Sequence, residues 1–162
     1  MRCKLDKYAL ARVIHVLSVV LWIGGVAMVT TVLIPAIRKM GSGADQVGLF
    51  ERLESRFAWQ AKITTLLAGL SGFYMLYFID AWSRYTEPKF WWIHAMTMVW
   101  VLFMFVLFVA EPLFLHRLFK KHAERDPVKT FAIVHRLHLI LLVVSLVTMA
   151  GAVAGSHGWF VF

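Results

Sequence analysis

RVIHVLSVVLWIGGVAMVTTVLIPAI, residues 12–37, carries the clearest fold signal in the chain. It is almost entirely apolar, and its single imidazole, His15, lies near its start. About 20 apolar residues in a helix are enough to cross the hydrocarbon core of a bilayer. The stretch therefore predicts a membrane-spanning helix with a histidine close to one interface.

Three further apolar runs of similar length follow, at 58–79, 90–115 and 137–155. The chain of 162 residues is 60% hydrophobic and 16% charged, with a mean hydropathy of +0.72. A soluble domain has about 25% charged residues, and the polar outer faces of a soluble bundle are missing from these runs. We therefore predict an all-α integral membrane protein, a four-helix bundle in up-down-up-down order.

The predicted organisation is a single transmembrane domain, residues 1–162. Its helices are expected at about 8–38, 58–79, 90–116 and 134–156. Before the second helix, charged residues alternate with Leu and Phe at helical spacing, which predicts a short surface helix at about 46–57. The single cysteine, Cys3, excludes an intrachain disulfide and argues against iron–sulfur and thiolate zinc sites.

The net charge of +8 comes from Lys and Arg residues beside the apolar runs, as in membrane proteins, and no nucleic-acid recognition fold is present. Loop 1 joins predicted helices 1 and 2, and loop 3 joins predicted helices 3 and 4. These two loops with their adjoining helix ends carry eleven of the Lys and Arg residues, and the opposite side of the membrane carries six. The positive-inside rule then places loops 1 and 3 in the cytoplasm and both termini outside. We expect the protein in a bacterial cytoplasmic membrane.

Small and weakly polar residues recur at helical spacing, which is typical of helix contacts in lipid. These stripes are predicted to face the interior of the bundle. They contain His15, Ser18, Trp22, Gly25 and Val29 in helix 1, Lys62, Thr65, Gly69 and Gly72 in helix 2, and His138, Ser145, Thr148, Ala152 and Gly155 in helix 4.

In this topology His15, His94 and His157 fall on one membrane face. His15 and His94 lie roughly 12–14 Å from the midplane, at ~1.5 Å of helix rise per residue. Two imidazoles at matched depth can hold one haem iron between them, so both are predicted axial ligands of a haem b. Arg12, one turn from His15, is the predicted partner of a haem propionate.

The opposite face carries His135 and His138, three residues apart in helix 4. They are weaker candidate ligands for a second haem. His157 is an alternative or additional ligand on the first face.

Two other interpretations of the histidines stay open. One is a copper site in which His15, His94 and His157 are joined by the soft thioethers of Met28 or Met96. The other is a metal-free accessory subunit, because a histidine near a membrane interface costs little and needs no functional reason.

Lys62 and Glu111 fall near the face of loops 1 and 3, on neighbouring helices. Ionisable groups at such depth tend to pair or to line a functional path. We predict a buried ion pair, with proton transfer to a quinone or another substrate as the alternative.

The run HVLSVVLWIGGVAMV, residues 15–29, places a histidine ahead of a W-I-G-G element. It resembles the copper-resistance D (CopD)-like membrane family and the related HemJ-type proteins of haem biosynthesis. The segment RFAWQAKITTLLAGLSGFYML, residues 56–76, is similar to second helices of that group. The resemblance covers helices 1 and 2 and implies a small helical bundle in which His15 is available to haem or copper.

The predicted function is that of a b-type haem membrane protein with an electron-transfer or quinone-linked role, a candidate membrane oxidoreductase. Its predicted partners are the lipid bilayer, a quinone or a redox protein, and a second copy of the chain. The sequence has no nucleophile–base arrangement, phosphate loop or H-E-x-x-H motif, which argues against hydrolase and nucleotide-driven functions.

Overall fold

The computed structural model describes residues 2–40 and 43–159. Within them the helices are α1 (Arg2–Met28), α2 (Ile34–Arg38), α3 (Gly43–Phe78), α4 (Trp91–Phe105), α5 (His116–Arg125) and α6 (Pro127–Ser156). Wider π-helical turns occupy Val29–Leu33 and Val106–Leu115, and 3₁₀ turns occupy Trp82–Thr86 and Pro88–Phe90. No strand occurs in the described residues, so the predicted all-α class is confirmed.

Three helical stretches of the described chain are long and apolar enough to cross a membrane, Leu5–Arg38, Pro88–Leu115 and Pro127–Ser156. Aliphatic side chains such as Leu17 and Val143 point outward and are more than half exposed. Lipid is the environment in which such surfaces are stable. These stretches indicate a membrane protein whose outer faces contact the bilayer, and α3 is the one long helix not among them.

Both π-helical segments lie next to a proline. Pro112 lies inside Val106–Leu115, and Pro35 follows Val29–Leu33. A proline in a helix has no N–H to donate and clashes with the carbonyl four residues earlier, and a wider turn relieves that clash. The helical path therefore continues past each proline instead of ending there.

Residues 46–57 and 58–79, predicted as two helices, are joined in the single helix α3. The reason is packing on both sides of the predicted break. The ring of Phe57 lies against Gly25 of α1, the next residue Ala58 is buried, and Ala61 is buried one turn further on. Since no proline or glycine lies at the predicted break between residues 57 and 58, the helix continues through it.

The segment predicted as the polar loop 3 is also helical. It contains α5, and α6 begins at Pro127, seven residues before its predicted start at 134. Asp126 caps α6, because its side chain accepts a hydrogen bond from the backbone N–H of Lys129 at 3.0 Å. Asp at the N-cap followed by Pro at the first helical position is a strong start signal for a helix.

Glycine lets aromatic rings approach the helix backbone closely. Four such contacts join neighbouring helices, and at each of them a Cβ on the glycine would overlap the ring. They are Gly25–Phe57, Gly69–Trp100, Gly151–Trp91 and Gly155–Trp92. The predicted inward stripes are largely buried, with the polar Ser18, Thr65, Ser145 and Thr148 at most 5% exposed.

Candidate functional site

A cavity of about 580 Å³ lies where the start of α1, the end of α3, the start of α4 and the end of α6 meet. Ligand sites of proteins commonly have volumes of about 300–1,000 Å³. Most of its walls are apolar. Its polar lining consists of Tyr8, Arg12, His15, Arg84, Tyr85, Thr97, Ser145, Thr148 and Ser156, together with the indoles of Trp22, Trp92 and Trp100.

His15 is held at this cavity by a contact between two helices. Its Nδ1 lies 2.8 Å from the backbone carbonyl oxygen of Ala68 in α3, and 3.3 Å from Ser71 Oγ. A carbonyl oxygen can only accept a hydrogen bond, so Nδ1 carries the proton and Nε2 keeps its lone pair. This is the arrangement in which metal-binding histidines usually occur.

Gly72 makes room for the imidazole of His15. A Cβ at that position would lie 3.2 Å from His15 Cε1, which is tighter than an ordinary van der Waals contact. Gly69 and Gly72, both predicted to face inward, thus have separate roles. Gly69 makes room for the indole of Trp100, and Gly72 makes room for the imidazole of His15.

Two arginines line the cavity from different elements. Arg12 comes from α1, one turn before His15, and Arg84 comes from the 3₁₀ turn Trp82–Thr86. Neither guanidinium forms a salt bridge with a carboxylate in the described part of the chain. The Cζ atom of Arg84 lies 5.2 Å from the centroid of the Phe90 ring.

Trp22 supplies an indole N–H that has no acceptor among the described residues. The side chain is 4% exposed and lines the cavity, and its ring meets Phe103 edge-on with centroids 4.8 Å apart. A buried donor without an acceptor is costly unless something else satisfies it. Its position therefore fits a cavity that holds a ligand.

His94 does not line this cavity. It is exposed, and its ring meets Tyr85 edge-on with centroids 5.1 Å apart. Helix α4 instead buries Trp92, Ile93 and Val99, and His94 is rotated ~200° around the helix from Trp92. The structure thus brings His15 to the cavity and leaves the second predicted axial ligand outside it.

The remaining candidate histidines lie elsewhere. His138 is half-buried and donates from Nδ1 to the carbonyl of Val134 at 2.9 Å, and His157 is exposed and donates to Val153 at 2.8 Å. Nδ1 of His135 accepts from Arg38 Nη1 at 3.4 Å. Among the described residues, no group of three or more His, Cys, Asp or Glu side chains is arranged to hold a metal ion.

Thioethers contribute to the cavity as well. Met75, Met96 and Met149 line it, whereas Met28, the other methionine suggested by the sequence for copper, is 49% exposed. Sequence reasoning missed Arg84, Met75 and Met149. No local pattern marks these residues, because they reach the cavity through the tertiary packing of segments that are distant in sequence.

A charged cluster lies away from the cavity, towards the other half of α3. Lys62 Nζ and Glu111 Oε2 form a salt bridge of 2.9 Å, with side chains 26% and 32% exposed. Burial raises the pKa of Glu54 to about 7, and the negative charges of Glu111 and Glu51 add to the shift.

Comparisons of the chain with protein-family models, with curated proteins and with solved structures found no match. The resemblance of helices 1 and 2 to the CopD-like and HemJ-type proteins stays a prediction. The function must therefore be argued from the cavity and its residues.

Proposed function

We propose that this protein is a b-type haem-binding integral membrane protein with an electron-transfer or quinone-linked redox role. One observation carries the proposal. His15 lines an apolar cavity, and because its Nδ1 donates to the carbonyl of Ala68, Nε2 is the nitrogen of the neutral ring that can bind a metal.

The walls of the cavity suit a haem, as His15 does. The apolar lining and the indoles of Trp92 and Trp100 suit a flat hydrophobic ring. Arg12 and Arg84 supply positive charge without a carboxylate partner among the described residues. When bound, a haem would supply a one-electron iron couple, which is the chemistry that electron transfer requires.

The chain's own residues then have distinct roles. His15 would hold the iron, and the hydrogen bond from its Nδ1 to the Ala68 carbonyl fixes its tautomer and increases its basicity. The buried aromatic walls exclude water and keep the local dielectric low. We propose that a second iron ligand would be the thioether of Met75, Met96 or Met149, since all three line the cavity and His94 does not.

In the membrane we propose that α3 completes a four-helix bundle with the three apolar stretches. Its segment from Ala58 to Phe78 packs along α1 and carries the cavity residues Ala68, Gly69 and Gly72. Loops 1 and 3 face the cytoplasm in this arrangement, as the distribution of Lys and Arg favours. A lipid-soluble quinone or a redox protein is the proposed electron partner.

Copper handling is the second candidate function, and one observation favours it. Met75, Met96 and Met149 line the same cavity as His15, and thioethers together with an imidazole suit Cu(I).

A visible spectrum of the detergent-purified protein, oxidised and then reduced with dithionite, separates these functions. A Soret band with sharp α and β bands after reduction is expected, at one haem per chain, and His15→Ala should remove it. A colourless protein from haem-replete cells would overturn the haem proposal. Copper in stoichiometric amount would then select the second function, and absence of both metals would leave an accessory subunit.

A further inference from the structure

We propose that the ligand of the cavity carries acidic groups and that Arg12 and Arg84 bind them at its mouth. Arg84 is the residue that this inference adds. The inference rests on the proposed function in taking a porphyrin as the ligand. It goes further in stating which edge of the ligand is recognised and by which side chains.

The two arginines have the placement that such a role needs. Each lines the cavity on one side and is exposed on the other, so both lie at its opening. The cavity walls beside them are largely apolar. Neither forms a salt bridge with a described carboxylate, so both guanidinium groups keep their donors for a ligand.

Arg84 is held in place by its surroundings. Its guanidinium lies over the ring of Phe90, at 5.2 Å from the centroid, a cation–π contact. The next residue, Tyr85, is tied to α4 by a hydrogen bond of 2.7 Å between its Oη and Thr97 Oγ1. The 3₁₀ turn that carries Arg84 is therefore anchored, and less conformational freedom is lost when the side chain binds.

Arginine is suited to carboxylates because its planar fork donates two parallel hydrogen bonds. Two such forks at one end of an apolar cavity match an amphiphile with a flat apolar body and carboxylates on one edge. A neutral quinone has no acid to place there. The geometry thus points to the carboxylate-bearing edge of a porphyrin as the group that Arg12 and Arg84 bind at the opening of the cavity.

The test uses metal-free protoporphyrin IX, as the free acid and as the dimethyl ester. Each is titrated into the full-length protein, purified in detergent and freed of haem, and binding is followed by quenching of tryptophan fluorescence. The proteins are the wild type, Arg12→Gln, Arg84→Gln and the double variant. Arg117→Gln is the matched control, since Arg117 is an exposed arginine on α5 that does not line the cavity.

We expect each cavity variant to bind the free acid roughly tenfold more weakly, since a hydrogen bond to a charged group contributes about that factor. Arg117→Gln should bind like the wild type. The dimethyl ester should bind the wild type about as weakly as the free acid binds the double variant. Arg84→Lys keeps the charge and should lose less than Arg84→Gln.

Three results would overturn the inference. These are equal binding of acid and ester by the wild type, no binding of either, and equal losses in Arg84→Lys and Arg84→Gln. The haem proposal is decided separately, by the spectrum of haemin added to the wild type and to His15→Ala. Protoporphyrin IX has no iron to bind His15, so the difference between acid and ester is read without the histidine–iron bond, and either proposal can fail while the other stands.

Discussion

The imidazole of His15 donates a hydrogen bond from Nδ1 to the backbone carbonyl oxygen of Ala68, across 2.8 Å and between two helices that are distant in sequence. That carbonyl lies one turn before Gly72, whose missing side chain leaves room for the ring. The tautomer and the orientation of the ring are therefore set by α3 rather than by the helix that carries the histidine.

The first prediction separates His15 from His94. His15→Ala should abolish haem binding, because it removes the Nε2 lone pair at the cavity. His94→Ala should retain the haem in full, because His94 is exposed and does not line the cavity. Absorbance at the Soret band per mole of protein measures both, and a loss of haem in His94→Ala would show that α4 turns that residue inward.

The second prediction concerns the close contact between α1 and α3. Gly25→Ala should lower the stability of the protein by about 1–3 kcal/mol, because the new methyl group would overlap the ring of Phe57. Thermal unfolding in detergent measures the change. Gly24→Ala is the control, because a Cβ there meets nothing within 4 Å, and alanine should stabilise the helix by up to ~1 kcal/mol. Equal effects of the two substitutions would show that Phe57 does not pack on Gly25.

The third prediction concerns the salt bridge between Lys62 and Glu111. A double-mutant cycle with Lys62→Met and Glu111→Gln should give a coupling energy of ~1–2 kcal/mol, since both side chains are at least two-thirds buried. The control is the pair of Lys89 and Glu87, whose side chains are 48% and 43% exposed. It should couple by under ~0.5 kcal/mol. A coupling energy of the same size in both pairs would mean that burial does not strengthen the salt bridge between Lys62 and Glu111.

The fourth prediction is a pH dependence that originates from Glu54. Its carboxyl has a pKa of about 7 in the folded protein against 4.5 ordinarily. Between these values the folded chain holds a proton that the unfolded chain has released, so stability falls as the pH rises through this window. Glu54→Gln removes the titrating group and should flatten that fall, leaving the variant about 1–3 kcal/mol more stable than the wild type above pH ~7.

The measurement is the thermal midpoint at a series of pH values from about 4 to 8. Glu87→Gln is the control, because the side chain of Glu87 is 43% exposed and far less buried than Glu54. This control should keep the pH profile of the wild type. An unchanged profile in Glu54→Gln would mean that the carboxyl of Glu54 is solvated.

Particular residues show how far sequence reasoning reached. Helical spacing placed Ser18, Trp22 and Thr65 in the interior, and all three are buried. Matched depth alone placed His94 opposite His15, and the structure leaves His94 exposed and outside the cavity. Depth follows from counting residues along a helix, but the direction in which a side chain points depends on how the helix is rotated against its neighbours.

The helix boundaries show a second limit. Polarity suggested a loop before residue 134, but the Asp126–Pro127 cap starts α6 earlier. Polar residues mark exposure to water, which a helix end can also have, so hydropathy alone does not locate the boundary.

The all-helical class, the membrane setting of three helices and the inward position of His15 could be predicted from the sequence. All three follow from apolar length and from the 3.6-residue period, which are properties of one helix at a time. The cavity, its second arginine Arg84, its thioethers Met75 and Met149 and the tautomer of His15 emerge only from the tertiary structure. These depend on which residues distant in the chain meet, and close packing between helices fixes that.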